Sequence, residues 1–95
     1  MDREFEGVVV VWRGPAPFYF VAVPAEVCAD LRAVADVVSY GWGMVPARVS
    51  VGASTFQTSL YPKDGGYLVP LRAWVRDAEG VAEDDLVRVR LEVVV

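Results

Sequence analysis

Residues 86–95 read "LVRVRLEVVV", and this stretch decides the fold. Val87, Val89, Leu91 and Val93 alternate with Arg88, Arg90 and Glu92. A period of two sends the aliphatic side chains to one face and the charged ones to the other, the pattern of a half-buried strand. Working back along the chain, the same test finds more strands. "YLVPLRAWVR" (67–76) predicts a strand with Val69, Leu71, Ala73 and Val75 on one side and Leu68, Pro70, Arg72, Trp74 and Arg76 on the other. Pro70 brings no ladder donor, so that strand has an edge or a bulge there. "PARVSV" (46–51) and "TFQTSLY" (55–61), with Phe56, Thr58 and Leu60 on one face, are joined by the tight turn "GAS". "FEGVVVVW" (5–12) and "FYFVAV" (18–23) flank "RGPAP", where Gly and two Pro cannot continue a ladder. Both faces of "FYFVAV" are largely apolar, which predicts a central strand or one covered on both sides.

One segment follows a different period. Pro24 opens "PAEVCADLRAVADVVS", where Val27, Leu31, Val34 and Val38 recur on one stripe and Glu26, Asp30, Arg32 and Asp36 lie mostly away from it. This predicts a single amphipathic helix over about residues 24–39, ended by Gly41 or Gly43 in a left-handed conformation. Six Val-rich strands and one helix make a single mainly β domain over residues 1–95, a small closed or partly open six-stranded β-barrel. Closure removes edges that would otherwise invite aggregation.

Composition narrows the function. The chain has 95 residues, 55% of them hydrophobic, with a net charge of −4, one cysteine and no histidine. The charge argues against broad capture of nucleic acid or anionic membrane. Without histidine the commonest general base is missing, and a zinc set is nearly excluded. No cofactor or metal is expected. No apolar run reaches membrane-spanning length. The acidic start "MDREFEG" is not a secretory signal, and the lone Cys28 fits a reducing cytoplasm. Cys28 lies beside the helix stripe and reads as a buried small hydrophobe.

Three stretches, "FEGVVVVWRGPAPFYFVAVP", "YGWGMVPARVSVGASTFQTSLYPKDGGYLVPLRAWV" and "EGVAEDDLVRVRLEV", together resemble the bacterial family catalogued as domain of unknown function 1905. The resemblance covers essentially the whole chain. Its distinctive pieces are Trp12 before the turn, Gly41-Trp42-Gly43 and "SLYPKDGGYLVPLR". It implies a small β-barrel with one helix, in members sometimes fused to a bacteriocin-protection module of the YdeI/OmpD-associated type. It implies no reaction and carries over no catalytic residue. "VRDAEGVAEDDLVRV" also resembles, more weakly, the Gly-aliphatic-x-x-Gly-Asp turn of swapped-hairpin and double-psi barrels, with Asp84 in place of the second Gly. Asp tolerates the left-handed region better than most residues, so the turn survives the exchange.

Candidate sites come with an ordinary alternative each. In "YPKDGGY", Pro62, Asp64, Gly65 and Gly66 are explained by turn chemistry alone. Lys63, the only lysine, is left over as a solvated side chain or an anion ligand beside backbone N–H groups. Arg48, Arg72, Arg76, Arg88 and Arg90 all fall at outward strand positions. If those strands are adjacent, they make a basic stripe with Trp74, suited to phosphate or carboxylate. The alternative is cross-strand pairing with acids such as Glu92. Trp12, Tyr19, Tyr40 and Trp42 could line an aromatic pocket at the helix end, or serve as core.

The leading reading is therefore a non-catalytic binding or interaction module. A groove lined by Lys63, Arg72, Trp74, Arg48 and Arg90 would take a small anion or a segment of a protein partner. The alternatives are an enzyme of unassigned reaction using Lys63 and Asp64 with Tyr61 or Tyr67, and a weak nucleic-acid binder. The chain is expected as a monomer or a homodimer, the Val-rich C-terminus either pairing across a dimer or closing the barrel.

Overall fold

The computed structural model describes residues 1–38, 40–41 and 43–93. Among these, six strands and two helices follow in the order β1 (Asp2–Arg13), β2 (Pro17–Ala22), α1 (Ala25–Val38), β3 (Val45–Val51), β4 (Ser54–Lys63), β5 (Gly66–Leu71), α2 (Ala73–Glu79) and β6 (Leu86–Glu92). The strands close into an antiparallel barrel in the order β1-β2-β5-β4-β3-β6. Val89 and Leu91 of the deciding stretch are fully buried and Val93 nearly so. Within this one chain, β6 closes the barrel by pairing with β1 from Asp2↔Glu92 to Val8↔Leu86. The N-terminal ammonium adds a bond to the Val93 carbonyl at 2.8 Å.

Two long strands make the closure. β1 pairs with β6 as far as Val8 and with β2 from Val9 onward. β4 pairs with β3 through Leu60 and with β5 from Tyr61 onward. The crossover in β1 depends on Gly7. A Cβ there would lie 2.4 Å from the Ala22 carbonyl oxygen and 2.6 Å from a Val21 methyl. The β4–β5 ladder runs only from Tyr61↔Leu68 to Lys63↔Gly66 and stops short of Pro70, as its missing N–H requires.

The barrel interior is mainly aliphatic, with Phe5, Phe56 and Tyr67 nearly buried beside it: Val9, Val21, Val45, Val49, Leu60, Val69, Val89 and Leu91 are fully buried. α1 covers the end of the barrel at the β4–β5 turn, burying Val27, Cys28 and Leu31. Its Arg32 donates to the Gly65 carbonyl, and its Asp30 pairs with Arg3 of β1. The Cys28 thiol points to the Val23 carbonyl, 3.4 Å away. After α1, Gly41 (φ 58°) and Gly43 (φ 85°) both take left-handed conformations, and Tyr40 and Met44 exchange backbone bonds across the turn. Residue 39, where the helix is expected to end, lies outside the described residues.

Residues 73–79 correct the expectation of one helix and of a strand running to Arg76. They form α2 at the opposite end of β4. The short run Ala73-Val75 fits either period, and backbone chemistry decides. Gly80 takes the left-handed C-terminal position (φ 63°), and its N–H bonds back to the Arg76 carbonyl, ending the helix. Val75 then fills the barrel end, fully buried. Glu79 ties α2 to the β3–β4 turn, accepting from the Ser54 hydroxyl at 2.6 Å and the Ala53 N–H at 3.4 Å. Beyond α2, Asp84 takes the left-handed conformation expected of it, φ 71°. The loop it shapes bonds to both polar groups of Val9 in β1. β2 is central, as one of its two expected placements has it, lying between β1 and β5, but among the described residues its outward face is left open, and Phe18 is 54% exposed. Among the described residues, no helix is long and apolar enough to cross a membrane.

Candidate functional site

The outside of the barrel divides into two halves of opposite chemistry. On β6 and the first half of β1 the outward residues are mostly charged, and two cross-strand ion pairs join them. Arg90 reaches Asp2 at 2.8 Å and Arg88 reaches Glu4 at 3.4 Å. The Arg90 hydrogen bond, aided by its charge, holds the Asp2 carboxyl below its ordinary range, and the same bond raises Arg90. These are cross-strand pairs on the surface, each contributing little to stability.

The second half of β1, with β2, β5 and the end of β4, carries apolar residues outward instead. Register sets Trp12 beside Phe18, Val10 beside Phe20, Phe20 beside Pro70 and Leu68 beside Tyr61. The rings meet in two tilted pairs, Trp12–Phe18 at 5.7 Å and Phe20–Tyr61 at 6.2 Å between centroids. Between them runs an open groove of about 670 Å³, whose lining includes Val10, Trp12, Phe20, Tyr61, Lys63 and Pro70. Lys63 is its single charged lining residue. None of the four ion pairs among the described residues uses Lys63. Trp12 is seated by Gly14: a Cβ at that position would fall 2.2 Å from the indole ring. The tryptophan therefore lies across the β1–β2 turn because "WRGP" leaves room for it.

The residues expected to form one anion groove do not converge. Arg48 sits outward on β3, opposite Gln57 and Glu92, and borders a shallower concavity of about 350 Å³. Arg72 precedes α2 rather than lying on a strand, and donates to the Gln57 carbonyl at 2.8 Å. Gln57 thus brings Arg48 and Arg72 into one neighbourhood. Lys63 lies six residues further along β4, about 20 Å away at strand spacing. Arg90 is engaged by Asp2, and Trp74 turns out on α2, edge-on to Phe56 at 6.2 Å. Arg76, also on α2, stacks its guanidinium 3.8 Å from the Tyr19 ring centre.

The expected aromatic pocket is likewise dispersed. Alternation puts Trp12 on the outer face and Tyr19 on the inner face, since Trp12 pairs with Phe18 and Tyr19 with Val11. Tyr40 stands at the end of α1 with its hydroxyl on Ser59. Trp42 lies outside the described residues. Of the residues considered for catalysis, Tyr61, Lys63 and Asp64 are exposed, whereas Tyr67 is turned into the barrel and 8% exposed. Among the described residues, no cluster of His, Cys, Asp and Glu is placed to hold a metal ion.

Sequence reasoning named Trp12 and Lys63 but did not join them. The signal was the apolar outward set Val10, Trp12, Phe18 and Phe20; of it, only the apolar faces of "FYFVAV" were read, as the mark of a central strand or one covered on both sides. A family model described as "Domain of unknown function (DUF1905)" matches residues 5–91 of the chain. Among curated proteins, none matches it.

Proposed function

The chain belongs to the DUF1905 family, whose description names no activity, and from its own surface we propose a non-catalytic interaction module that docks an extended segment of a partner protein. The observation that carries this is the outer groove: paired aromatic rings on β1, β2 and β4 around a strip of Val10, Leu68 and Pro70, with Lys63, in none of the ion pairs among the described residues, at its edge. Exposed apolar surface of this kind, bounded by polar surface, is characteristic of interaction sites. An open groove on the convex side of a barrel favours a segment over a small anion. Pockets for small ligands bury most of the ligand surface, and this one leaves one side in water.

Selection of displayed random peptides on the intact chain tests the proposal, with Phe20→Asp as counter-target. We expect enriched peptides that lose at least tenfold in affinity on Phe20→Asp and bind Arg48→Ala and Arg90→Ala as they bind the wild type. Circular dichroism checks that each variant is folded. Failure to enrich any peptide against the counter-target overturns the proposal, as does binding that depends on Arg48 instead of Phe20.

A further inference from the structure

We infer that the segment taken by the groove is a polyproline II helix with an acidic residue at the end that meets Lys63; this rests on the docking role proposed above. Three features of the surface converge on it.

The first is what the barrel withholds. Beneath the middle of the groove the ladders are taken on both sides, Tyr19–Val21 of β2 pairing with β1 and β5 and Leu68 of β5 with β2 and β4, so an occupant lying across the rings meets no free ladder there. The occupant must satisfy its own backbone. A polyproline II helix does so by leaving its peptide groups to water, and its conformation is set before binding.

The second is the chemistry of the lining. Trp12, Phe18, Phe20 and Tyr61 present rings, and Pro70 contributes a flat apolar surface between them. Aromatic-lined grooves are the surfaces that proline-rich segments use. The Trp12 indole N–H and the Tyr61 hydroxyl are the donors that the uncharged lining supplies, and a proline segment offers only carbonyl acceptors.

The third is spacing and charge. Following the register, Trp12 and Tyr61 are three strands and four residues apart. At about 4.8 Å between strands and about 3.3 Å per residue, they stand about 20 Å apart along the surface. Two turns of polyproline II, six residues, cover about 19 Å. Phe20 falls between them, about 8 Å from Trp12 on the same grid. Lys63 lies two residues past Tyr61 on the same face of β4. In a protein of net charge −4, this single ammonium at one end of an apolar strip selects an acid there.

The test uses the intact chain and four synthetic peptides: acetyl-(Pro)7-Glu-Glu-amide, its reverse Glu-Glu-(Pro)7, (Pro)7-Lys-Lys, and a Gly/Ser nonamer ending in Glu-Glu. Binding is read from the Trp12 indole N–H resonance in ¹⁵N-correlated spectra, assigned with Trp12→Phe. One of the two acidic proline peptides is expected to shift it saturably, and to bind at least threefold more tightly than the Lys-ended one. Lys63→Gln should erase that difference while retaining binding, and Phe20→Asp should remove binding of every peptide. The inference is overturned by no saturable shift with either acidic proline peptide, or by equal binding of the Gly/Ser peptide. It is also overturned if the Trp12 resonance responds to phosphatidylcholine vesicles and to none of the peptides. If random-peptide selection yields groove binders while the proline peptides fail, the docking role stands and only this inference falls.

Discussion

Replacing Gly7 with alanine tests the join on which the site depends. Just past Gly7, at Val8–Val9, β1 passes from β6 to β2, and the outward residues that follow, Val10 and Trp12, line the groove. A methyl group at Gly7 would lie 2.4 Å from the Ala22 carbonyl oxygen and 2.6 Å from Val21 Cγ1. The oxygen belongs to the backbone and cannot swing aside, so the strands must part. Overpacking of this kind costs about 1–3 kcal/mol, and a backbone obstacle puts Gly7→Ala near the upper end. The lower chain entropy of alanine offsets about 0.5–1 kcal/mol. A net loss of about 2–2.5 kcal/mol lowers the Tm of a domain this size by about 8–20 °C. Gly66→Ala is the matched control. Its methyl would sit 3.5 Å from Cys28 Sγ and 3.7 Å from the Lys63 carbonyl oxygen, ordinary contact distances. There only the entropy gain of about 0.4–1 kcal/mol remains, and Tm should rise by about 2–8 °C. Thermal unfolding followed by circular dichroism measures both. A Gly7→Ala midpoint equal to or above the wild type would refute the close crossing, and with it this account of how β1 delivers Trp12 to the surface.

Other expectations concern the barrel ends and the charged half. Glu79→Ala removes the acceptor of the Ser54 hydroxyl and should cost about 1–3 kcal/mol in urea unfolding, with Ser54 left buried and unpaired; an unchanged midpoint would mean that α2 is held by Val75 alone. For Asp2 the folded carboxyl is lowered from 3.8, chiefly by the Arg90 hydrogen bond, so its contribution is complete above the ordinary carboxylate range and is lost as pH falls through the folded value. Asp2→Asn should therefore differ from the wild type at neutral pH and converge with it in strong acid; a gap that persists in acid argues that the difference is not electrostatic. Cys28, 3% exposed under α1, should react with a thiol reagent only as fast as the chain opens, and denaturant should speed the reaction sharply. Rapid labelling of the native protein would show that α1 does not cover that end of the barrel.

Period-two alternation carried most of the barrel, because a half-buried strand writes its two faces into adjacent residues. That holds for β3, β4 and β6, where Val49, Phe56 and Leu91 turn inward as their spacing requires. It misled at Ala73–Glu79, where seven residues are too few to separate the two periods and the deciding signal was Gly80 behind them. The arginine stripe depended on that strand, so Arg72 and Arg76 left it when the strand became a helix. The groove was hidden for a different reason. An outward apolar residue and an inward one look alike in sequence, and β2 has both. Only the register with β1 and β5 reveals that Phe18 and Phe20 share the outside with Trp12 and Pro70.

The same argument bears on why those residues are there. The interior does not need them: the buried set fills the barrel without Trp12, Phe18 or Tyr61, each about half exposed. Nor does strand pairing demand aromatic residues outside. The opposite half of the barrel, with the same backbone geometry, uses Asp2, Glu4, Arg88 and Arg90 at equivalent outward positions. A strand exterior of this size is stable with charges, and charges also oppose association between copies. On the strands the exposed rings Trp12, Phe18 and Tyr61 gather on one half, with Gly14 leaving room for one of them and the chain's only lysine at the far end, and folding alone does not require that arrangement. That half is the surface on which the proposed partner segment would dock.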